Sequence, residues 1–488
     1  MGKKSLSKNA FYNVIYKCLN VVFPLITMAY VARILLPIGV GKVASAQNIV
    51  AYFVLIASLG LPTYGVKVIA SYSDDRRKSS KAFSELFAIN AMSTIICSFV
   101  YIMMVMSVDF FQTKIAISMI VGIQLFANII NIDWLYQGYE EYRYITIRSI
   151  LVKTLALLAV FIFVKTPDDY IVYAFITALS LIANFVMNML KLNSLVTFGF
   201  KNLELRQHFK PVFALLASTI AIEIYVLGGT TILNVLKGEE DVAFYTYATK
   251  AVSVVRTLIV AVCAVFLPRL NYYYSHRQFD SFNDLASKGI RIILNLCVPA
   301  AIGLFILSDD FVKLLFGDNY YPVIPSMKIL CISLVTIALS NFTGYQILVT
   351  LGKEKLILYS TILGAIVNLG INVMLVPSMG HYGAAIAAVV TEALIAFYQL
   401  FYVLKCIPIK IGIIDIKQLS VPSLLMIVPM LLIKYLELNI IIEILLCCIS
   451  GLCVFIFSSI IMKNKIILIF LEKANIHFMS KHLNNKRL

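Results

Sequence analysis

Apolar runs of about 20 residues recur from one end of this chain to the other, and that repetition limits its possible folds more than any other feature. Each run is long enough to cross a hydrocarbon core of roughly 30 Å as a helix. In lipid the backbone must satisfy its own hydrogen bonds, so such a chain folds as a bundle of spanning helices. Composition agrees. Of 488 residues, 61% are hydrophobic and 14% charged, against roughly 25% charged in a soluble domain. The reading is an all-α polytopic membrane protein with about 14 transmembrane helices. Its first span covers 10–33 and its second 43–66, and the last pair covers 419–436 and 440–462.

A formal net charge of +16 raises the question of nucleic acid. The distribution answers it. Most Lys and Arg residues fall in alternate loops, the positive-inside pattern that sets orientation. "SYSDDRRKSSK" (71–81), "KNLELRQHFK" (201–210) and the basic tail 463–488 then lie in the cytoplasm, with both termini. "KGEED" (237–241) and "SDDF" (308–311) lie outside. No nucleic-acid partner is expected. The amino end, "MGKKSLSK", runs into an apolar stretch without a small-residue cleavage site and reads as the first anchor. The nine cysteines lie in or beside apolar segments without metal spacing, so free buried thiols are expected and no metal.

The loop 191–210 separates six spans from eight. The division is an N-lobe at 1–195, a linker at 196–210, a C-lobe at 211–406, an extra helix pair at 407–462 and a tail. A weak internal echo supports two lobes. "LPIGVGKVASAQNIV" (36–50) and "LKGEEDVAFYTYATKAV" (236–252) each open a span that ends at a Leu-Pro pair, Leu61-Pro62 and Leu267-Pro268. External loops are short, leaving little room for the catalytic constellation of a membrane enzyme. "GLPTYGVK" (60–67) lacks the G-K-[ST] ending of a phosphate-binding loop and is read as chance.

Ionisable residues inside spans are expensive and are functional candidates. Arg33, Lys328 and Glu443 lie near span ends and could snorkel. Asp133 lies near the cytoplasmic end of its span, where interfacial solvation competes with a functional role. The span 242–267 is more informative. Thr246, Thr249, Lys250, Ser253, Arg256 and Thr257 fall within one polar arc. Glu223 is midway along the preceding span, either pairing with Arg256 as a helix lock or serving as a coupling carboxylate. Asn13, Lys17 and Asn20 share a face of the first span, and Ser45, Asn48 and Tyr52 a face of the second. The economical reading is a hydrated, net-positive cavity lined by Asn13, Asn20, Asn48, Ser253 and Thr257. Lys17, Lys250 and Arg256 would hold an anionic substrate there.

Three stretches resemble a known family. "ARILLPIGVGKVASAQNIVAYFVLIASLGLPTYGVKVIA" (32–70), "NIDWLYQGYEEYRYITIR" (131–148) and "EEDVAFYTYATK" with "VFLPRL" (239–250, 265–270) are similar to Wzx-type oligosaccharide flippases. These form the polysaccharide-transporter branch of the MATE-like flippase superfamily. The resemblance implies two six-helix lobes and two extra C-terminal helices. It implies translocation of polyprenyl-diphosphate-linked oligosaccharide repeat units to the outer leaflet of a bacterial inner membrane by alternating access, for O-antigen or capsule. It implies no cofactor, and membrane lipids and a polysaccharide polymerase with its chain-length machinery as partners. A coupling ion, H+ or Na+, is not named by the sequence. Relatives place a carboxylate where this chain has Gly229. Asp133, Trp134 and Gly138 form the family-like cytoplasmic motif, with Trp134 suited to the interfacial aromatic belt. The alternatives are a gradient-driven exporter of drug-like cations from the same superfamily and a membrane enzyme of polysaccharide assembly.

Overall fold

The computed structural model describes residues 6–199, 203–409 and 412–469. The side chains of Asn13 and Lys17 lie outside the described ones. The described residues form helices and no strand. In chain order these are α1 (Leu6–Ser58), α2 (Leu61–Ser71), α3 (Arg76–Ser107), α4 (Asp109–Gln112), α5 (Ile115–Ala127), α6 (Asp133–Gly138), α7 (Tyr142–Phe163), α8 (Tyr170–Lys191), α9 (Arg206–Leu236) and α10 (Glu239–Ala264). There follow α11 (Leu267–Ser275), α12 (Phe279–Ile306), α13 (Ser308–Leu315), α14 (Val323–Asn341), α15 (Glu354–Met379), α16 (His381–Cys406), α17 (Ile413–Leu425), α18 (Ile427–Lys434) and α19 (Ile440–Ile461). Twelve helical stretches among the described residues are long and apolar enough to cross a membrane, and Ile115–Ile130 is a shorter apolar one.

Local chemistry explains where helices break. α1 has 53 residues, about 80 Å at 1.5 Å per residue, far more than one crossing. It is broken at Leu36, whose backbone leaves helical space (φ 57, ψ 173) immediately before Pro37. Proline has no N–H to give and crowds the residue before it, so the break falls there. The loop expected over 34–42 is thus a one-residue break with helix on both sides. The second rod of α1 runs to Ser58, and Leu59 and Gly60 then turn in left-handed conformations (φ 49 and 73). Both Leu-Pro pairs open a short helix with proline in the first turn: Leu61-Pro62 opens α2 and Leu267-Pro268 opens α11. The internal echo therefore marks equivalent helix starts.

The apolar run over 114–137 is also interrupted. α5 stops at Ala127, a 3-10 turn covers Asn128–Ile130, and α6 starts afresh at Asp133. Asn128 accounts for the stop. It is 2% exposed and its amide donates to Thr94 Oγ1 (3.1 Å), while its carbonyl accepts from Asn90 Nδ2 (2.6 Å).

The chain divides into two compact units, 1–246 and 247–488, with the boundary inside α10. In the first unit α1 packs on α3, α5, α7 and α9, α7 on α8, and α2 on α6. α9, which connectivity groups with the later spans, packs here on α1 and α2. In the second unit α14, α15 and α16 pack together, and α12 lies against α14. Neutral amides join them. Gln399 Nε2 donates to Ser360 Oγ (3.0 Å) and Asn368 Nδ2 to Thr391 Oγ1 (3.0 Å). Such bonds hold helices together where lipid offers no hydrophobic drive.

The C-terminal helices dock on α12 through polar contacts. Arg291 pairs with Asp415 (3.2 Å), and Asn464 Nδ2 donates to Asn295 Oδ1 (2.8 Å). At the other end Lys434 pairs with Asp310 (2.9 Å) and donates to the Ile306 carbonyl (3.1 Å). Lys328, which sequence reasoning allowed to snorkel, instead pairs with Asp309 (2.9 Å). Glu443 is likewise buried, at 7% exposure.

The loop-charge bias generates a topology prediction. Ser79 is buried and donates to the Tyr72 and Asp75 carbonyls, so Asp74 and Lys237, both exposed, are the better probes. In a cysteine-free background, a membrane-impermeant thiol reagent added to intact cells should label Lys237→Cys and spare Asp74→Cys. Labelling of both from outside would overturn the assigned sidedness.

Candidate functional site

The box at 131–144 folds inward. Asp133 opens α6, and Arg148, 2% exposed, reaches it from α7 at 3.1 Å. The same guanidinium donates to the Asn184 carbonyl (3.3 Å) and to Asn188 Oδ1 on α8. Asn188 Nδ2 donates back to Asp133 Oδ1 (2.5 Å). One carboxylate, one guanidinium and one amide therefore join three helices. Tyr136 donates to the Asn188 carbonyl and Tyr144 to the Met187 carbonyl, each at 2.6 Å. Lys191 stands over the Tyr144 ring at 4.1 Å. Asp133, whose side chain is 29% exposed, is thus the ion-pair partner of a buried arginine.

Trp134 corrects a second expectation. It is 3% exposed, so it does not sit in an interfacial belt. Its ring lies against Phe83 (centroids 5.7 Å apart) and over Gly65. A Cβ added at Gly65 would lie 2.5 Å from Trp134 Cε3, and one at Gly138 would lie 2.8 Å from Ile69 Cβ. The two glycines let α2 and α6 approach until tryptophan fills the space. "LPTYG" and "NIDWLYQG" are two halves of one helix contact. This also disposes of a phosphate cradle at 60–67, since an indole occupies the face of Gly65.

The same motif reaches a buried charge that sequence reasoning passed over. Tyr64 OH lies 3.0 Å from His208 Nδ1, and His208 Nε2 lies 2.9 Å from Glu85 Oε2. Glu85 is 2% exposed. It also accepts from the Glu204 N–H (2.8 Å) and from Gln207 Nε2 (3.2 Å). The start of α9 is fastened to α2 and α3 in this way. On its rim the Lys81 ammonium, 2.6 Å from Glu204, holds that carboxyl below its ordinary value.

The polar stripes are partly spent on helix contacts. Asn48 Nδ2 donates to Thr231 Oγ1 on α9 (2.7 Å), and Tyr52 OH lies 3.0 Å from the same oxygen. Asn20 accepts from Lys153 Nζ of α7, a mid-helix cation that sequence reasoning missed. Glu223 is half-buried on α9 and makes no hydrogen bond or ion pair within the first unit among the described residues. On α10, Ser253 and Thr257 donate to the Lys250 and Ser253 carbonyls (2.7 and 2.8 Å). Lys250 and Arg256 are exposed and make no ion pair within the second unit among the described residues. Neither has a carboxylate from its own unit to compensate it. No cluster of potential metal ligands occurs among the described residues.

The polysaccharide biosynthesis protein profile matches residues 6–273. The chain belongs to that family. It is 25% identical over 403 residues to a candidate O-antigen transporter of Shigella dysenteriae, covering 81% of this chain and 99% of the relative. It is 24% identical to a candidate O-antigen transporter of Escherichia coli strain K12, over 82% of this chain and 97% of the relative. A lipid II flippase in an inward closed conformation superposes with a TM-score of 0.74 at 14% identity, covering 94% of this chain and 99% of that one. An inward-facing multidrug resistance MATE transporter gives 0.62 at 14% identity over 79% and 94%. The family member thus has the helical fold shared by flippases and MATE transporters.

Trp134 is the only tryptophan, so intrinsic emission reports on the α2–α6 contact alone. The purified protein should emit to the blue and resist both aqueous iodide and brominated acyl chains. Strong quenching by either would return Trp134 to an interfacial belt. Trp134→Ala should lower stability by about 3–5 kcal/mol, read as a loss of folded protein after mild heating. Gly65→Ala should do similar damage, and Trp134→Leu added to Gly65→Ala should recover part of it.

Proposed function

We propose that this protein is a flippase that moves lipid-linked oligosaccharide repeat units across a bacterial inner membrane for envelope polysaccharide synthesis. The observation that carries the reading is likeness to O-antigen transporters over nearly their whole length. The protein is a transporter and not an enzyme. Its cargo is a polyprenyl diphosphate bearing sugars, moved from the cytoplasmic to the outer leaflet by alternating access, with both termini in the cytoplasm. A polysaccharide polymerase with its chain-length machinery takes the flipped unit.

The charge inventory supports this cargo. Arg256 and Lys250 on α10 are basic side chains without a carboxylate from their own unit among the described residues. A diphosphate supplies compensating charge, and its oxygens match the guanidinium fork. A drug-like cation would meet repulsion. Lys17 on α1 extends the same surface in this reading, with Asn13, Asn20, Asn48, Ser253 and Thr257 as neutral lining. Glu223 is the carboxylate left for coupling to an H+ or Na+ gradient, since Gly229 offers none.

The test uses cells that make the lipid-linked unit but lack its flippase. The wild-type gene should restore surface polysaccharide. Arg256→Ala should leave membrane abundance near normal and reduce export at least about tenfold, a binding loss of about 1.4 kcal/mol. Arg256→Lys should restore part of it by keeping the charge without the fork. Adding Glu223→Gln should not rescue export, whereas it would rescue if the two residues only locked helices together. Normal export by the Arg256→Ala, Lys250→Ala double variant would refute the anion site. Unchanged polysaccharide with raised drug sensitivity in a native-host deletion would favour the exporter.

A further inference from the structure

The second unit carries a cavity of about 530 Å³ whose lining includes none of the residues assigned to the cargo. It lies at one end of the bundle, where α10 ends, α11 follows, α12 begins and the chain emerges after α19. Its wall is divided by chemistry. Val265, Phe266, Ile292 and Ile469 form an apolar side. Arg269, Tyr273, Asp284 and Lys288 form a polar side. Apolar lining beside a charged lip at the end of spanning helices matches the two chemistries of one membrane lipid, and the volume falls within the range of ligand sites, roughly 300–1,000 Å³.

The sign of the lip selects the lipid. Lys288 lies 2.6 Å from Asp284, an exposed i,i+4 pair that contributes little to stability and opens readily. Arg269 has no carboxylate within its unit among the described residues. Its Nε donates to Tyr273 OH (3.2 Å), and its guanidinium stands 5.7 Å from the Tyr273 ring. That contact fixes the guanidinium plane and leaves its terminal amines for an acceptor. Two cations against one carboxylate leave the lip net positive. The segment that follows Ile469 in the sequence, 470–488, does not suit it by charge. That segment holds Lys473, Lys481, Lys486 and Arg487 against Glu472, so its charge repeats that of the lip.

We propose that this groove is a binding site for an anionic membrane phospholipid. The headgroup phosphate sits between Arg269 and Lys288, and an acyl chain lies along Val265, Phe266 and Ile292. Basic pockets between spanning helices recognise lipid headgroups by the same charge pairing.

The test uses the full chain, purified in detergent and supplied with an equimolar mixture of phosphatidylglycerol and phosphatidylcholine. Native mass spectrometry should show phosphatidylglycerol retained with at least about tenfold preference, about 1.4 kcal/mol. Arg269→Ala with Lys288→Ala should remove that preference, and Arg269→Lys should keep part of it while reporting that the fold is intact. Asp284→Asn should increase the preference. A photo-crosslinking residue at Ile292 should capture phospholipid in native membranes. Equal retention of the two lipids would overturn the proposal. So would a preference unchanged in the double variant, or a crosslink from Ile292 to residues 470–488.

Discussion

A guanidinium buried in a membrane protein must be neutralised by a carboxylate and hydrogen-bonded, and the first unit is arranged around one such group. Removing Arg148 from water costs several kcal/mol unless a partner of opposite charge and further acceptors are supplied. Asp133, Asn188 and the Asn184 carbonyl supply them. Meeting that requirement fixes α6, because Asp133 is its first residue. With α6 fixed, Trp134 is aimed at Gly65 and Gly138 at Ile69, which sets α2. Tyr64 on α2 then reaches His208, and His208 reaches Glu85, so α9 and α3 join the same assembly. One desolvated cation therefore accounts for the positions of six helices: α2, α3, α6, α7, α8 and α9.

Much of the fold was legible in the sequence because span length is a one-dimensional property. An apolar run shows its extent without knowing its neighbours, and Pro37 shows where α1 breaks. The burial of Trp134 was not legible. An aromatic cluster at a span end has one signature whether it faces headgroups or folds under the bundle. The deciding partner, Gly65, lies far upstream and makes the contact by lacking a side chain. Arg148 was hidden differently. It closes the stretch "YRYITIR", which reads as an interfacial flank. Lys153 sits little more than a turn further on in α7, a single cation in an apolar run whose partner, Asn20, lies far upstream. At the candidate anion site the polar arc on α10 was visible from periodicity. Whether a polar residue on such an arc faces a cavity or a neighbouring helix was not, as Asn48 shows by spending its amide on Thr231.

The cations sort into two groups once their partners are known. Arg148, Lys114, Lys328 and Lys434 each have a carboxylate within bonding distance. These charges hold helices and helix ends together. Lys153 has the Asn20 amide oxygen and no carboxylate among the described residues of its unit. Lys250 and Arg256 have no ion pair within theirs. If charge served cohesion alone, the second group would be hard to explain, since an uncompensated cation in a span destabilises the bundle and adds no contact. Its persistence is accounted for when the compensating charge arrives with the cargo.

The packing of α14–α16 strengthens that distinction, because it shows cohesion achieved without ions. A π-helical turn at Phe342–Leu348 widens the helix where Gly344 passes within 2.7 Å, measured from an added Cβ, of Gln399 Oε1. Thr343 donates to the same oxygen at 3.3 Å, and Gln399 hands its own N–H to Ser360. Asn372, Asn368 and Thr391 form a second, separate set of such bonds. Every link is neutral. Such bonds contribute about 0.6 kcal/mol each in membrane bundles and carry no desolvated charge. A protein that can bind its helices this way has no need, for cohesion within the second unit, of cations on α10 that make no ion pair there among the described residues. Under the proposed function, their cost is offset by a ligand that brings its own negative charge, and an unloaded carrier would then be the strained state and the loaded one relaxed.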